Sequence, residues 1–543
     1  MTQPGTALRR IGTNPLVGSV WTLVSRVTGL GRSVVVAAVL GPTLFGDLYQ
    51  QTNDLPSLMF ELLTGSLFVS LIVPAVVRHL DGRSPVAAAR LAGGFLTVSL
   101  VAVTAVTALV VAAGPLVLGL LSAGVPEGVH RADSAAAWLL LGLVMLQAPL
   151  YVVAGGGAAA QNARGRFALA AAAPGVENVG IMLVLGVHAA VFGVGTAEGQ
   201  GLAGVALLGA GTTAAVGAHA AVQWYGARRH GLTLRLTRGW PDPEVRGLVR
   251  MAIPSMGHAG LNVARYFSII VVAAAVPGGV VAFSLAYAFY NLPVALGAKP
   301  VSQAALPELS RAHHRGDTEN YVRTFDRALG LVLFVTVPAA TCYALLSDSV
   351  ATIVGFGQMA SPEARSLVSL GLLGISFGVV GAAAVNFGTQ AAYAQRDPRR
   401  PLIAVAVRAV LTGTGLGVSL ALVQGPQLLL AFGATVAVSD LIAGAWLCRR
   451  VRGRLSDASS VPDRTLSVPY RTLRRTAASA LAMAVVVWPI SLWLGSPDDR
   501  VAALLGLLLA AVPGSAVYLL VQRHLRSPEL DGLVSLLSRG KRS

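Results

Sequence analysis

Fourteen long apolar runs dominate this sequence and dictate its environment. They centre near residues 17–40, 48–77, 91–121, 134–160, 168–193, 202–225, 251–276, 279–307, 328–347, 364–393, 402–424, 427–447, 476–495 and 501–522. One helix needs about 20 apolar residues to cross a bilayer. Fourteen such spans of about 22 residues take up roughly 310 positions, so only short loops remain. The expected fold class is all-α: a polytopic membrane protein of about 14 transmembrane helices. Only 12% of the 543 residues are charged, against about 25% in soluble domains. That excludes a soluble enzyme and a disordered chain. Two cysteines, Cys342 and Cys448, exclude a disulfide framework and a Cys-rich metal site.

The net charge of +17 invites a nucleic-acid reading, but its placement points elsewhere. Of 41 Lys and Arg, 33 fall in the termini and in every second loop. The other loops hold three: Arg131, Arg365 and Arg500. This alternation follows the positive-inside rule for an even number of spans with both termini cytoplasmic. No nucleic-acid partner is needed to explain it. Arg9 and Arg10 precede an apolar run, yet Arg26 and Arg32 interrupt that run and no small-residue cleavage site follows, so a cleaved signal is not expected.

The chain also repeats itself. Pro74, Arg78 and Gly82 return as Pro307, Arg311 and Gly316. Gln161 and Arg166 return as Gln395 and Arg400, and Arg32 corresponds to Arg265 at an offset of 233. Asp54-Leu55-Pro56 is echoed by Asn291-Leu292-Pro293 at 237. Such repeats mark transporters built from two similar lobes. The expected organisation is an N-lobe of six spans over residues 1–230 and a pseudo-symmetric C-lobe of six over 231–450. Residues 451–543 add two C-terminal helices and a basic tail.

Ionisable side chains within spans are costly and by default face a bundle interior or a wet cavity. The cations are Arg26, Arg32, Arg265, Lys299 and Arg408; the anions are Asp47, Asp54, Glu61, Glu177 and Asp440. Arg26 and Arg32 are six residues apart and so about 120° apart around a helix. They can border one broad cavity without stacking. Arg408 can snorkel towards the membrane surface, and Glu177 and Asp440 can be satisfied by neighbouring helices. Arg26, Arg32 and Arg265, at related positions of two lobes, suggest a cationic cavity between them. The planar guanidinium suits phosphate, so an anionic, phosphorylated substrate is expected. The competing reading pairs each arginine with Asp47, Asp54 or Glu61 to hold helices together.

Other signals fail. Gly374-Ile375-Ser376-Phe377-Gly378 matches the G-x-S-x-G pattern, but it lies in a hydrophobic span with no preceding strand. Gly374 and Gly378 equally fit GxxxG helix packing. The histidines lack metal-ligand spacing, and the glycine-rich stretch 193–204 lacks the G-K-[ST] of a phosphate loop. No catalytic residue, cofactor or metal is expected.

Ser25-Arg26-Val27-Thr28-Gly29-Leu30-Gly31-Arg32 resembles the S-R-x-x-G-x-x-R of the MurJ/MviN lipid II flippases, in the multidrug/oligosaccharidyl-lipid/polysaccharide exporter superfamily. Asp47, Leu55-Pro56 and the run from Phe60 to Gly65 resemble the second span of that family. Gln161-Asn162, Arg166-Phe167, Pro174 and Asn178 resemble its span 4–5 junction. Gly316-Asp317, Tyr321, Tyr393 to Arg396 and Pro401 resemble its second lobe. The likeness covers most of residues 17–450. It implies a fourteen-helix, two-lobed fold, no enzyme activity, and alternating access for lipid II, the undecaprenyl-diphosphate-linked cell-wall precursor. It further implies that Arg26, Arg32 and Asp47 matter for function, and that the last two helices form a groove for the lipid tail. Three arginines frequent in the family are replaced: a pair in span 2 by Phe60 and Glu61, and one in span 8 by Ala288, with Lys299 eleven residues on as a partial substitute.

The expected binding set is therefore Arg26, Arg32, Asp47, Glu61, Arg265 and Lys299. The expected partners are a lipid-linked glycan, membrane lipids and proteins of cell-wall synthesis, in the cytoplasmic membrane. The alternatives are a flippase for another lipid-linked polysaccharide unit, a cation-coupled drug exporter using Asp47 or Glu61, and a non-transporting scaffold for cell-wall enzymes.

Overall fold

The structure is a computed structural model that describes residues 4–65, 72–82, 84–125, 134–194, 201–229, 231, 235–456, 468–494 and 499–531. The loop cations Arg83, Arg131, Arg464, Arg539, Lys541 and Arg542, residues 66–71 of the second run and residues 195–200 of the glycine-rich stretch lie outside them. Among the described residues every regular element is a helix. Eleven are long and apolar enough to cross a membrane, or twelve when a bent pair is taken as one span. These twelve match twelve of the fourteen expected runs. Of the other two, run 48–77 crosses undescribed residues. Run 251–276 is a continuous helix, Pro243–Ala273, that carries His258, Asn262 and Arg265. The chain is a multi-pass membrane protein.

The chain forms two compact units, residues 1–281 and 282–543. The first holds α1 Pro4–Leu40, α2 Leu44–Phe60, α3 Val73–Asp81, α4 Pro85–Ala112, α5 Gly114–Leu121, α6 Ser134–Met145, α7 Gln147–Ala163, α8 Phe167–Phe192, α9 Gly201–Arg229 and α10 Pro243–Ala273. Helix α1 lies along α8, and α9 packs against α6, α7 and α8. Small residues make these approaches possible. A Cβ at Gly29 would stand 3.5 Å from Asn178, and one at Gly180 only 2.8 Å from Ala215.

The second unit holds most of α11 Gly279–Pro293, then α12 Lys299–His314, α13 Thr318–Leu345, α14 Ser347–Val354, α15 Pro362–Ile375, α16 Gly378–Ala394, α17 Arg399–Leu422, α18 Gln427–Ser456, α19 Val468–Leu494 and α20 Arg500–His524. Helices α15 and α16 form the bent pair, at 47°. The C-terminal pair docks on the rest of this unit: Tyr518 donates to the Phe334 carbonyl at 2.9 Å, and Arg500 donates to the Gly355 carbonyl at 2.8 Å.

The repeat is visible in local geometry. A π-helical turn interrupts Glu61–Gly65 and another Val294–Ala298, at the offset of 233 seen in the sequence. A π-turn leaves backbone groups out of α-helical register and recurs at functional sites. The backbone N–H of Ser84 closes α3 on the His79 carbonyl, and that of Asp317 closes α12 on the Ala312 carbonyl, again 233 residues apart. Ser84 and Asp317 each stand at the N-cap position of the next helix, where the Asp317 carboxylate accepts from the Asn320 N–H. Arg32 lies eight residues before the last residue of α1, and Arg265 eight before the last of α10. The Asp54-Leu55-Pro56 echo at 237 is displaced from this register by about one helical turn.

Gly374 and Gly378 pack against a helix. A Cβ at Gly374 would come 3.0 Å from Gly433 Cα, and one at Gly378 3.0 Å from Ala437 Cα. The facing atoms are backbone of α18 and cannot swing aside. Overpacking costs about 1–3 kcal/mol. Gly374→Leu should therefore lower the thermal unfolding midpoint in detergent, whereas Gly413→Ala, with no atom within 4 Å, should leave it in place. Equal midpoints for both variants would refute this contact.

Candidate functional site

The segment Ser25–Arg32 is the stripe of α1 that faces α8. Positions 25, 28, 29 and 32 share one helical face. The side-chain amide of Asn178 donates to the Ser25 carbonyl and to the Thr28 hydroxyl, both at 3.2 Å. Gly29 leaves room for that amide. One turn further along, Arg32 Nη1 stands 3.5 Å from Glu177 Oε1. Arg26 falls off this stripe and is exposed, as a 120° separation requires.

Glu177, on α8, is buried at 7% exposure and gathers three other helices. Tyr151 of α7 donates its hydroxyl to Oε1 at 2.9 Å. His219 of α9 places Nδ1 2.8 Å from Oε2. Arg32 of α1 makes the longest of the three contacts. Its side chain is 27% exposed, against 9% for Glu177 and 10% for His219. The guanidinium therefore sits at the rim of a network in which Glu177 and His219 are buried. It carries five N–H donors and can present several to an anion.

Helix α2 contributes the neighbouring acid. Asp54 accepts from Gln50 Nε2 at 3.0 Å and from the Tyr266 hydroxyl of α10 at 2.9 Å. Arg32 is within electrostatic reach of Asp54 and Tyr49. Arg265, beside Tyr266, is 4% exposed. Asn262 donates to the His258 carbonyl one turn back, at 3.0 Å.

Asp47 is placed differently. Its Oδ2 accepts from the Gly278 N–H at 2.8 Å and its Oδ1 from the Val281 N–H at 3.0 Å. It is 2% exposed. A carboxylate here satisfies backbone donors that a helix start leaves without partners, and it complements the helix dipole. Gly278 has φ +75°, and a Cβ there would overlap Pro42, so only glycine fits this corner. Asp47 also borders a cavity of about 530 Å³ lined by Leu44, Gln51, Leu118, Ser122 and Trp138.

Glu61 is exposed at the start of the first π-turn, and Lys299 is exposed directly after the second. Of the six expected binding residues, Arg32 joins the Glu177 network, Asp47 is engaged by backbone amides, Arg265 is buried, and Arg26, Glu61 and Lys299 stand on exposed surface. The acid that meets Arg32 is Glu177, not Asp47, Asp54 or Glu61. Tyr151 and His219 escaped the sequence reading. An intramembrane carboxylate signals that donors must meet it, but nothing in the sequence names which helices supply them.

In the second unit Arg408 of α17 pairs with Asp440 of α18, which also accepts from the Tyr290 hydroxyl. Arg408 Nη2 reaches the Tyr290 oxygen at 3.3 Å. This arginine is held inward and does not snorkel. Asp440 is fully buried.

Comparison with known proteins places this architecture. The family model described as lipid II flippase MurJ matches residues 36–496. A probable lipid II flippase MurJ of Rhizobium meliloti is 24% identical over 539 residues, covering 96% of this chain and 95% of that protein. One from Rhizobium tropici is 25% identical over 403 residues, covering 72% and 73%. Among solved structures, a lipid II flippase MurJ in an inward closed conformation shares the fold at TM-score 0.71 and 17% identity, covering 94% of this chain and 99% of that one. An inward-facing multidrug resistance transporter of the MATE family, in the MOP superfamily, follows at TM-score 0.66 and 14% identity, covering 82% and 100%. The chain belongs to the lipid II flippase MurJ family.

Proposed function

We propose that this chain moves lipid II from the cytoplasmic to the external leaflet of the cell membrane by alternating access, with both termini in the cytoplasm. The observation that carries the reading is the rim position of Arg32: a guanidinium anchored on one side to Glu177 and partly open on the other. Such a group can bind a diphosphate bidentately while the chain around it stays packed. Arg26 and Arg265 supply further positive charge in the same unit, and Lys299 and Glu61 flank the π-turns. Asp47 acts as a positioning residue through the Gly278 and Val281 amides. The residues do binding work only; no covalent step is required. Residues 1–230, 231–450 and 451–543 serve as N-lobe, C-lobe and tail-binding extension, and proteins of cell-wall synthesis are the expected partners.

Differential affinity for the head group in two states must drive the exchange. The membrane potential can assist the return of an empty cationic site, since one charge crossing it is worth about 2.3 kcal/mol per 100 mV. The test is complementation after depletion of the host's lipid II flippase. The intact chain should restore growth, and an Arg26→Ala/Arg32→Ala variant at equal expression should not. Failure of the intact, correctly inserted chain to rescue would overturn lipid II as substrate.

A further inference from the structure

We propose that Glu177 and His219 form a proton-binding site that takes up one proton when Arg32 turns from Glu177 to an anionic phosphate head group. This inference rests on the reading that Arg32 binds the diphosphate of lipid II.

The argument begins with charge balance. A buried carboxylate within a span must be neutralised by a partner. Glu177 has two basic neighbours. Arg32 is always charged, while an imidazole is the side chain that changes charge near neutral pH. With Arg32 in place and His219 neutral, the three groups sum to zero. The geometry makes Arg32 the partner that can leave. Its contact is 3.5 Å, against 2.8 Å for His219 and 2.9 Å for Tyr151, and its side chain is 27% exposed, against 9% for Glu177 and 10% for His219.

When Arg32 engages phosphate, Glu177 and a neutral His219, both buried, carry a net charge of minus one. One proton from water, taken at His219 Nε2, restores neutrality. Nδ1–H continues to donate to Glu177 Oε2, and no other bond changes. On release of the head group Arg32 returns and the proton leaves. The groups facing the site are Arg32 from α1, Tyr151 from α7, Glu177 from α8 and His219 from α9. Tyr49 and Asp54 of α2 lie within reach of Arg32, and Asp54 is held by Gln50 and Tyr266. Tyrosine does not titrate near neutrality, which leaves Asp54 as the competing proton acceptor.

Uptake of one proton on binding fixes the sign of the pH dependence. Where the empty site holds a neutral His219 and the occupied site an imidazolium, affinity rises tenfold for each unit of falling pH. The experiment is binding of purified lipid II to the full chain in detergent between about pH 5.5 and 8.5, around the ordinary imidazole range. A diphosphate diester keeps its charge over this range, so the ligand adds no slope. The intact chain and Asp54→Asn should show the slope. His219→Asn, whose Nδ2 amide takes the place of Nδ1 and still donates to Glu177, should bind with an affinity independent of pH. Calorimetry of the intact chain in two buffers of different ionisation enthalpy should count one proton taken up per lipid II, which needs no variant to fold.

Binding without proton uptake, a slope that persists in His219→Asn, or a slope lost in Asp54→Asn would overturn the proton site and leave the flippase reading intact. Absence of lipid II binding at every pH would overturn both.

Discussion

Replacing Arg32 by alanine is expected to weaken lipid II binding by roughly 10- to 150-fold, because hydrogen bonds to charged groups contribute about 1.5–3 kcal/mol. The effect should fall on binding and transport, with folding preserved. Glu177 keeps Tyr151 and His219 as donors, and Asn178 continues to fasten α8 to Ser25 and Thr28 of α1. Arg32→Lys should fall between the two, since an ammonium retains the charge but loses the planar fork. The measurements are lipid II affinity in detergent and flipping in reconstituted vesicles, with insertion checked by the unfolding midpoint. Full flipping by Arg32→Ala would remove this residue from the substrate site. A variant that merely unfolds would point instead to a helix-fastening role, which the competing reading of the sequence anticipated.

The largest effect on stability should come from the second unit. Arg408→Leu removes the ion-pair partner of the Asp440 carboxylate, which is fully buried and still accepts from the Tyr290 hydroxyl. Breaking a buried pair by removing one partner costs about 3–5 kcal/mol. Replacing both partners by apolar residues of similar size is often close to neutral, so Arg408→Leu/Asp440→Leu should recover most of the loss. Reversible denaturant unfolding in detergent micelles compares the three proteins. A single variant as stable as the intact chain would mean that Asp440 is solvated or protonated, and that the pair contributes nothing to the fold.

Much of the architecture was legible because a bilayer is a demanding solvent. Twelve of fourteen apolar runs coincide with helices long and apolar enough to cross it. The repeat at 233 proved to be structural. It recurs in the two π-turns, in the turns that close α3 and α12, and in the matched depths of Arg32 and Arg265. GxxxG packing at Gly374 and Gly378 was equally visible, since small residues four apart permit only a few uses in a span. The Asp54 echo misled by one turn, because short polar-proline motifs carry no register of their own.

The sequence by itself determined the membrane environment, the helical class, the internal repeat and the need for each intramembrane charge to be neutralised. Those follow from local composition and period, which hydrophobic burial and backbone hydrogen bonding translate directly into helices. Only the tertiary structure decided who neutralises whom. Arg32 meets Glu177 across 145 residues of chain, Asp47 meets the amides of Gly278 and Val281 more than 230 residues away, and Arg408 turns inward to Asp440. Every helix offers several faces and several acids of equal charge. The choice among them is made by packing, where one glycine or one asparagine sets how closely two helices approach and which side chains arrive within hydrogen-bonding distance.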